Sequence, residues 1–219
     1  RAKSGIMRCR EFIMKDLYSF DLDEKSHLEF YEKSKQAYTN IFQRVGIGHI
    51  TYLTFASGGS FSKYSHEFQT LAGVGEDTIY LDESKGIAVN KEVFDDETLE
   101  KLGLKRENLV EKRAIEVGNI FTLGTKYSDA LNLKYQTEKG DFKAVFIGSY
   151  RIGLGRLMGT IVETLSDDKG MVWPESIAPF HFHLLVFGDS KEVLAEAEKI
   201  YESLSKVHEV LFDDRKEVS

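Results

Sequence analysis

The stretch Gly5–Phe20, GIMRCREFIMKDLYSF, sets Arg8, Arg10, Glu11, Lys15 and Asp16 among residues that otherwise favour a core strand. Read as one extended strand, it carries Arg8, Arg10, Phe12, Met14, Asp16 and Tyr18 on one face, and Met7, Cys9, Glu11, Ile13 and Leu17 on the other. At about 3.3 Å per residue, Arg8 and Phe12 stand roughly 13 Å apart, the reach from a nucleotide's terminal phosphate to its base. An arginine's planar fork grips a phosphate through two parallel charge-assisted hydrogen bonds, and a phenyl ring offers a purine a flat face. Asp16, one step further along, is an acceptor for an ammonium group. An ordinary half-exposed strand with solvated charges explains the same alternation, so spacing alone leaves both readings open.

Outward from this stretch, DLDEKSHLEFYEKSKQAYTNIFQRVG spaces Leu28, Tyr31, Tyr38, Ile41, Phe42 and Val45 as one helical stripe. Ser26 with Glu29 forms a capping-box pattern at its start, and Gly46 is a natural stop. HITYLTFASGG reads as a strand entering the Gly58-Gly59 turn, and TIYLD as a shorter strand. Between Glu83 and Lys112 the pattern turns charged and loses its period, apart from a helical DDETLEKLG, which predicts a surface insertion. Strands are expected around Ala114–Leu123 and Phe142–Ser149, and a helix in GLGRLMGTIVETL. Beyond Pro174 and Pro179 a strand, a helix and a strand follow. That helix has an apolar stripe of Val193, Leu194, Ala197, Ile200, Tyr201 and Leu204, with Asp189 and Glu192 as candidate caps.

The chain has 219 residues, 42% hydrophobic and 12% aromatic, enough for a sizeable core. No apolar run reaches the roughly 18–20 residues of a membrane helix. The single Cys9 excludes an internal disulfide and any multi-cysteine zinc site, which fits a reducing compartment and makes cytoplasm the expected location. A net charge of −7 opposes nonspecific attraction to polyanions, although Arg8–Lys15 and Lys101–Arg113 are locally basic. The chain opens on Arg1, with no signal or transit peptide in view, so its natural N-terminus is expected upstream, and an organellar origin stays open. The β-α-β unit at the other end has too few elements to close a core, so truncation is expected there as well.

Gly153, Gly155 and Gly159 do not make a GxGxxG fingerprint, and no GK[ST] follows for a phosphate loop. Glycines before a helix nonetheless permit close approach to a ligand, with Arg156 at the helix start; tight turning and packing is their ordinary role. His66 and Glu67 form an acid/base or metal pair on paper, yet no third ligand has a fitting spacing. His181 and His183 share a strand face without further support for a metal.

The opening stretch resembles the second half of motif 2 of class II aminoacyl-tRNA synthetases, in particular the bacterial-type prolyl family. GGSFSKYSHEFQTLAGVGED, AIEVGNIFTLGTKYSDAL and GSYRIGLGRLMGTIVE, followed by KGMVWPESIAPF, fall in that family's order, and GSYRIGLGRLMGTIVE is similar to motif 3. VLFDDRKE resembles the early part of the anticodon-binding domain. The resemblance implies an α+β fold: a partial catalytic core on an antiparallel sheet flanked by helices over residues 1–178, with a short insertion at about 77–112. Residues 179–219 would begin an α/β anticodon-binding domain.

The resemblance also implies the chemistry: ligation of proline to tRNA(Pro) through prolyl-adenylate, using ATP and Mg²⁺, by a homodimer. It puts Arg8 on the γ-phosphate, Phe12 against adenine, Arg156 on the phosphates from the other side, and Glu116 and Asn119 near the adenosine. Met14, Asp16, His66 and Ser149 would form the proline pocket. Asn119 stands where the family usually has histidine, and Ser149 and Arg151 replace its usual cysteine and glycine. The first half of motif 2 and motif 1, which builds the dimer interface, would lie upstream of Arg1, leaving this chain alone without part of its active site. The span 77–112 is too short for the family's large editing domain, so alanine mischarged onto tRNA(Pro) would not be corrected in cis. A non-catalytic, synthetase-like regulatory protein that binds nucleotide or tRNA is the other reading.

Overall fold

The computed structural model describes residues 2–59, 62 and 64–215. Arg1, Ser60, Phe61 and Lys63, together with Lys216 and Glu217 of the VLFDDRKE stretch, lie outside the described residues. The chain forms two compact units, Arg1–Val172 and Trp173–Ser219.

In the first unit, β1 (Met14–Asp21) runs into α1 (Glu24–Arg44). The cap lies one turn before the expected Ser26–Glu29 box. Asp23 accepts from Ser26 N at 2.8 Å, while Ser26 Oγ accepts from Asp23 N. A carboxylate satisfies the same orphan amide and also suits the positive end of the helix. Four strands follow: β2 (Thr51–Ser57), β3 (Tyr64–Leu71), β4 (Asp77–Asp82) and β5 (Ile87–Asn90). Next come α2 (Asp96–Leu102), the long β6 (Val110–Gly124), the short α3 (Lys126–Ala130), and the hairpin of β7 (Lys134–Gln136) and β8 (Phe142–Ala144). The unit ends with β9 (Phe146–Gly153) and α4 (Leu154–Leu165).

Seven strands form one sheet in the order β1-β9-β6-β3-β2-β5-β4, antiparallel at every step except β2 with β5. The first residues of β6 also pair with β4, from Val110 opposite Leu81 to Ala114 opposite Asp77, which closes β6, β3, β2, β5 and β4 into a ring. The α+β expectation holds in this architecture.

Three local readings need correction. The segment from Glu83 to Lys112 is not a surface insertion throughout, because β5 enters the sheet with Ala88 and Val89 fully buried, and Leu99 and Leu104 pack beside Val89. Four residues inside a charged stretch offer too short a run for a period to emerge. The strand expected over Phe142–Ser149 is two strands, β8 in the hairpin and β9 in the main sheet. Most importantly, Gly5–Phe20 is not one strand: Gly5–Met7 makes a single helical turn, and regular pairing begins only at Met14.

One face of the sheet is covered by α1. Tyr38 and Phe42 each lie 5.2 Å, ring to ring, from Phe68 of β3. Gly118 of β6 makes room for them, since a Cβ there would lie 3.2 Å from the Tyr38 ring and 3.3 Å from Phe42. Burying such rings stabilises the fold by about 1.5–3 kcal/mol each. The opposite face is free of α1 and carries the candidate site.

The second unit is a parallel pair, β10 (Phe182–Leu185) and β11 (Val210–Asp213), joined through α5 (Lys191–Leu204). Ser190, not Asp189 or Glu192, caps α5, its Oγ accepting from Val193 N. Of the expected apolar stripe Ala197 is buried, whereas Val193, Leu194 and Ile200 are each about two-fifths exposed, because two strands cover only part of the helix. No helix among the described residues is long and apolar enough to cross a membrane.

Candidate active site

The face away from α1 opens into a cleft of about 670 Å³. Arg8, Arg10 and Phe12 come from the irregular segment before β1, Asn119 from β6, Arg151 from β9 and Arg156 from α4. Arg8 and Phe12 therefore share one wall, but through a turn rather than strand alternation. Gly159 favours this shape: a Cβ there would lie 2.7 Å from Met7 Sδ, so a larger residue would displace the Met7 side chain where α4 meets the helical turn. Arg156 then ties the turn to the sheet. Its Nε donates to Met7 O at 3.2 Å, and its Nη1 donates to Glu116 O and Oε2, both at 3.0 Å.

Glu116 reaches the cleft beside Asn119 because of a β-bulge. Glu116 pairs with Gln69 and Gly118 with Phe68, leaving Val117 as the extra residue. In a regular strand residues 116 and 119 would face opposite sides. The bulge turns both to the cleft, where Asn119 Nδ2 donates to Glu116 Oε1 at 2.7 Å.

Arg8 is held from outside the opening stretch. Its Nε and Nη2 donate to Glu76 Oε2 at 3.0 and 2.7 Å, and Lys3 Nζ lies 3.0 Å from Glu76 Oε1. Burial works upward on the Glu76 carboxyl, but the bonds from Lys3 and Arg8 outweigh it and hold the group below its ordinary range. Glu76 carries no local pattern that marks it; only its charge, opposite to that of Arg8, hints at the pairing across 68 residues.

The proposed proline-pocket residues separate. Met14 lines the cleft, and Asp16 stands on the same face with Oδ1 at 3.2 Å from Arg151 Nε. Ser149 is on this face too, but lines a neighbouring apolar hollow of about 290 Å³ with Tyr18, Phe121 and Arg151. His66 is not in the cleft wall. It points to the opposite face, where Nδ1 lies 2.9 Å from Tyr31 Oη under α1. The cause is strand alternation: Glu67, its neighbour, faces the cleft side and accepts from Gln69 and Asn90 at 2.9 and 3.1 Å.

Among the described residues no group of three or more His, Cys, Asp or Glu side chains is arranged to hold a metal. His181 Nδ1 accepts from Glu209 N, and His183 Nε2 lies 3.5 Å from Asp213, so the two histidines serve separate local contacts. The basic Lys101–Arg113 stretch is largely paired off, with Arg106 on Asp96 at 2.8 Å and Lys112 on Glu83 at 3.2 Å.

Residues 1–165 match the family described as tRNA synthetase class II core domain (G, H, P, S and T). Proteins named Proline--tRNA ligase from Ehrlichia ruminantium (strain Gardel), Wolbachia sp. subsp. Drosophila simulans (strain wRi) and Rickettsia akari (strain Hartford) are each 38% identical to it. These matches cover 98% of this chain and 53, 52 and 53% of the relatives. The chain thus spans about half the length of the relatives it matches. With residues 1–165 matched, the chain belongs to the class II tRNA synthetase core family (G, H, P, S and T).

Proposed function

We propose that this protein ligates proline to tRNA(Pro) through a prolyl-adenylate, with ATP lying in the 670 Å³ cleft. The observation that carries this reading is the convergence of Arg8, Phe12 and Arg156 on that one cleft. The relatives' shared name supports the choice of amino acid and tRNA.

In this reading Phe12, 60% exposed, offers its ring to the adenine. Arg8, whose Nε and Nη2 both donate to Glu76 Oε2, exchanges that carboxylate for the terminal phosphate and presents the same two donors to it. Arg156 is already oriented by Met7 and Glu116, so it neutralises phosphate charge without reorganising. The proline carboxylate attacks the α-phosphorus, and pyrophosphate leaves with the bonding electron pair. A carboxylate is ionised at neutral pH, so no protein base is needed, and positioning plus charge neutralisation supply the acceleration. A hydroxyl at the tRNA 3′ end then attacks the prolyl carbonyl and releases AMP.

Magnesium would enter with the ATP phosphates as part of the substrate, since Glu116 and Glu76 already have cationic partners. The unit Trp173–Ser219 is the opening of the anticodon-binding domain in the same reading, and a cytoplasmic homodimer is the expected assembly.

The test is amino-acid-dependent ATP–pyrophosphate exchange by the complete gene product. Exchange with proline is expected. Exchange with another amino acid alone overturns the substrate, and ATP binding without any exchange favours a non-catalytic, synthetase-like regulator.

A further inference from the structure

Among the described residues, Arg151 is the one side chain that lines both the arginine-rich cleft and the apolar hollow next to it. It is incompletely used where it stands. Nη2 donates to Tyr18 Oη at 3.0 Å, while Nε faces Asp16 at 3.2 Å without an aligned hydrogen bond and is left without a partner among the described residues. Two further polar atoms around this junction are also unfilled. Ser149 is only 2% exposed, yet its Oγ has no hydrogen-bond partner, and Asn119 Oδ1 has none either. The sheet register groups them, because Asn119 lies directly opposite Arg151 and Phe121 directly opposite Ser149. Buried polar groups left without partners are uncommon, and a cluster of them beside an apolar hollow marks a place a ligand completes.

We propose that Arg151 holds the carboxylate of the amino-acid substrate at the junction of hollow and cleft, and so determines amino-acid affinity. The inference rests on the proposed function and adds a residue to it. The chemistry of the junction matches a small zwitterion with an apolar ring. The ring enters the hollow against Phe121, the carboxylate meets the Arg151 guanidinium, and the secondary ammonium donates to the unfilled oxygens of Ser149 and Asn119. The guanidinium also offsets the repulsion between this carboxylate and the phosphates in the cleft. One carboxylate oxygen then forms the new bond to the α-phosphorus as the bond to the bridging oxygen breaks, and pyrophosphate leaves with that electron pair. No proton moves in this step.

Arg151 is two-fifths exposed, so truncation removes little packing. In the complete gene product, Arg151→Ala is expected to raise the KM for proline in pyrophosphate exchange by at least about tenfold, as loss of a charge-assisted bond implies. The KM for ATP should stay within about twofold. Arg151→Lys, which keeps the charge but not the fork, should recover part of the loss. Should the alanine variant fail to fold, the lysine variant decides by the same split. An unchanged proline KM, or an ATP KM that rises equally, overturns the inference while leaving the proposed function standing. Absence of proline-dependent exchange in the unsubstituted protein overturns the proposed function, and this inference with it.

Discussion

His66 and Glu67 are neighbours in β3, and they report on two different environments. His66 lies under α1, its ring 4.4 Å from Phe55 and its Nδ1 on Tyr31; burial first, and then the charge of Lys35, push its pKa down to about 3. Glu67 lies on the other side, where burial first, and then the nearby Glu116, push its carboxyl up to about 7, against the bonds from Gln69 and Asn90. The helix face completes its polar groups with aromatic hydroxyls and backbone carbonyls: Tyr31 Oη donates to Ile120 O, and Lys15 Nζ donates to Tyr38 Oη and Tyr150 O. The cleft face gathers charge and leaves acceptors unfilled, as at Asn119 Oδ1, Ser149 Oγ and Gln69 Oε1. On the helix side His66 Nε2 is also left without a partner among the described residues. One sheet thus separates a face packed under α1 from a face that opens to the cleft.

That separation breaks if a helix-face substitution affects chemistry more than folding. Phe42→Ala is expected to cost about 3–5 kcal/mol of unfolding free energy, read by denaturant titration. A loss below about 1 kcal/mol would contradict the assignment of that face to stability. Arg156→Ala should show the reverse pattern. It should lower kcat/KM for ATP in exchange by about 30–100-fold, roughly 2–3 kcal/mol, with a smaller effect on unfolding.

Glu67→Gln sharpens the comparison through pH. An acid whose folded pKa is raised from 4.5 to about 7 binds more protons in the native state, so its contribution to stability is present below 4.5 and is lost as pH climbs toward 7. Relative to the wild type, Glu67→Gln should gain on the order of 1–2 kcal/mol between pH 4.5 and 7. A pH-independent difference would place the Glu67 carboxyl in an ordinary environment. The smallest effect is expected at Lys15→Met, within about 1 kcal/mol, since a partly buried ammonium exchanged for an apolar group of similar length is nearly neutral.

The main elements were legible because they follow local rules. Tyr31, Tyr38 and Phe42 repeat at helical spacing and do face the core, and the helix expected in GLGRLMGTIVETL is present, although it begins at Leu154, so that Gly153 alone precedes it and Gly155 and Gly159 lie within it. What stayed hidden depends on distant partners. Arg8 and Phe12 share a wall because Arg156 holds Met7 O, 149 residues away in sequence, and because Glu76 holds Arg8. Strand alternation brought those two residues together for the wrong geometric reason. The bulge at Val117 that unites Glu116 with Asn119 leaves no trace in composition, and His66 was misassigned because a motif fixes a residue's neighbourhood but not its face. Arg151 stood out only as a departure from the family pattern; its place between two cavities emerges from the register of β6 with β9.

The occupant of the cleft is tested most directly by photolabelling the complete gene product with an azido-adenine analogue of ATP and mapping the modified peptides by mass spectrometry. Label is expected on peptides carrying Phe12 or Arg156, suppressed by excess ATP. Label confined to peptides of the α1-covered face, or unaffected by ATP, would contradict the account.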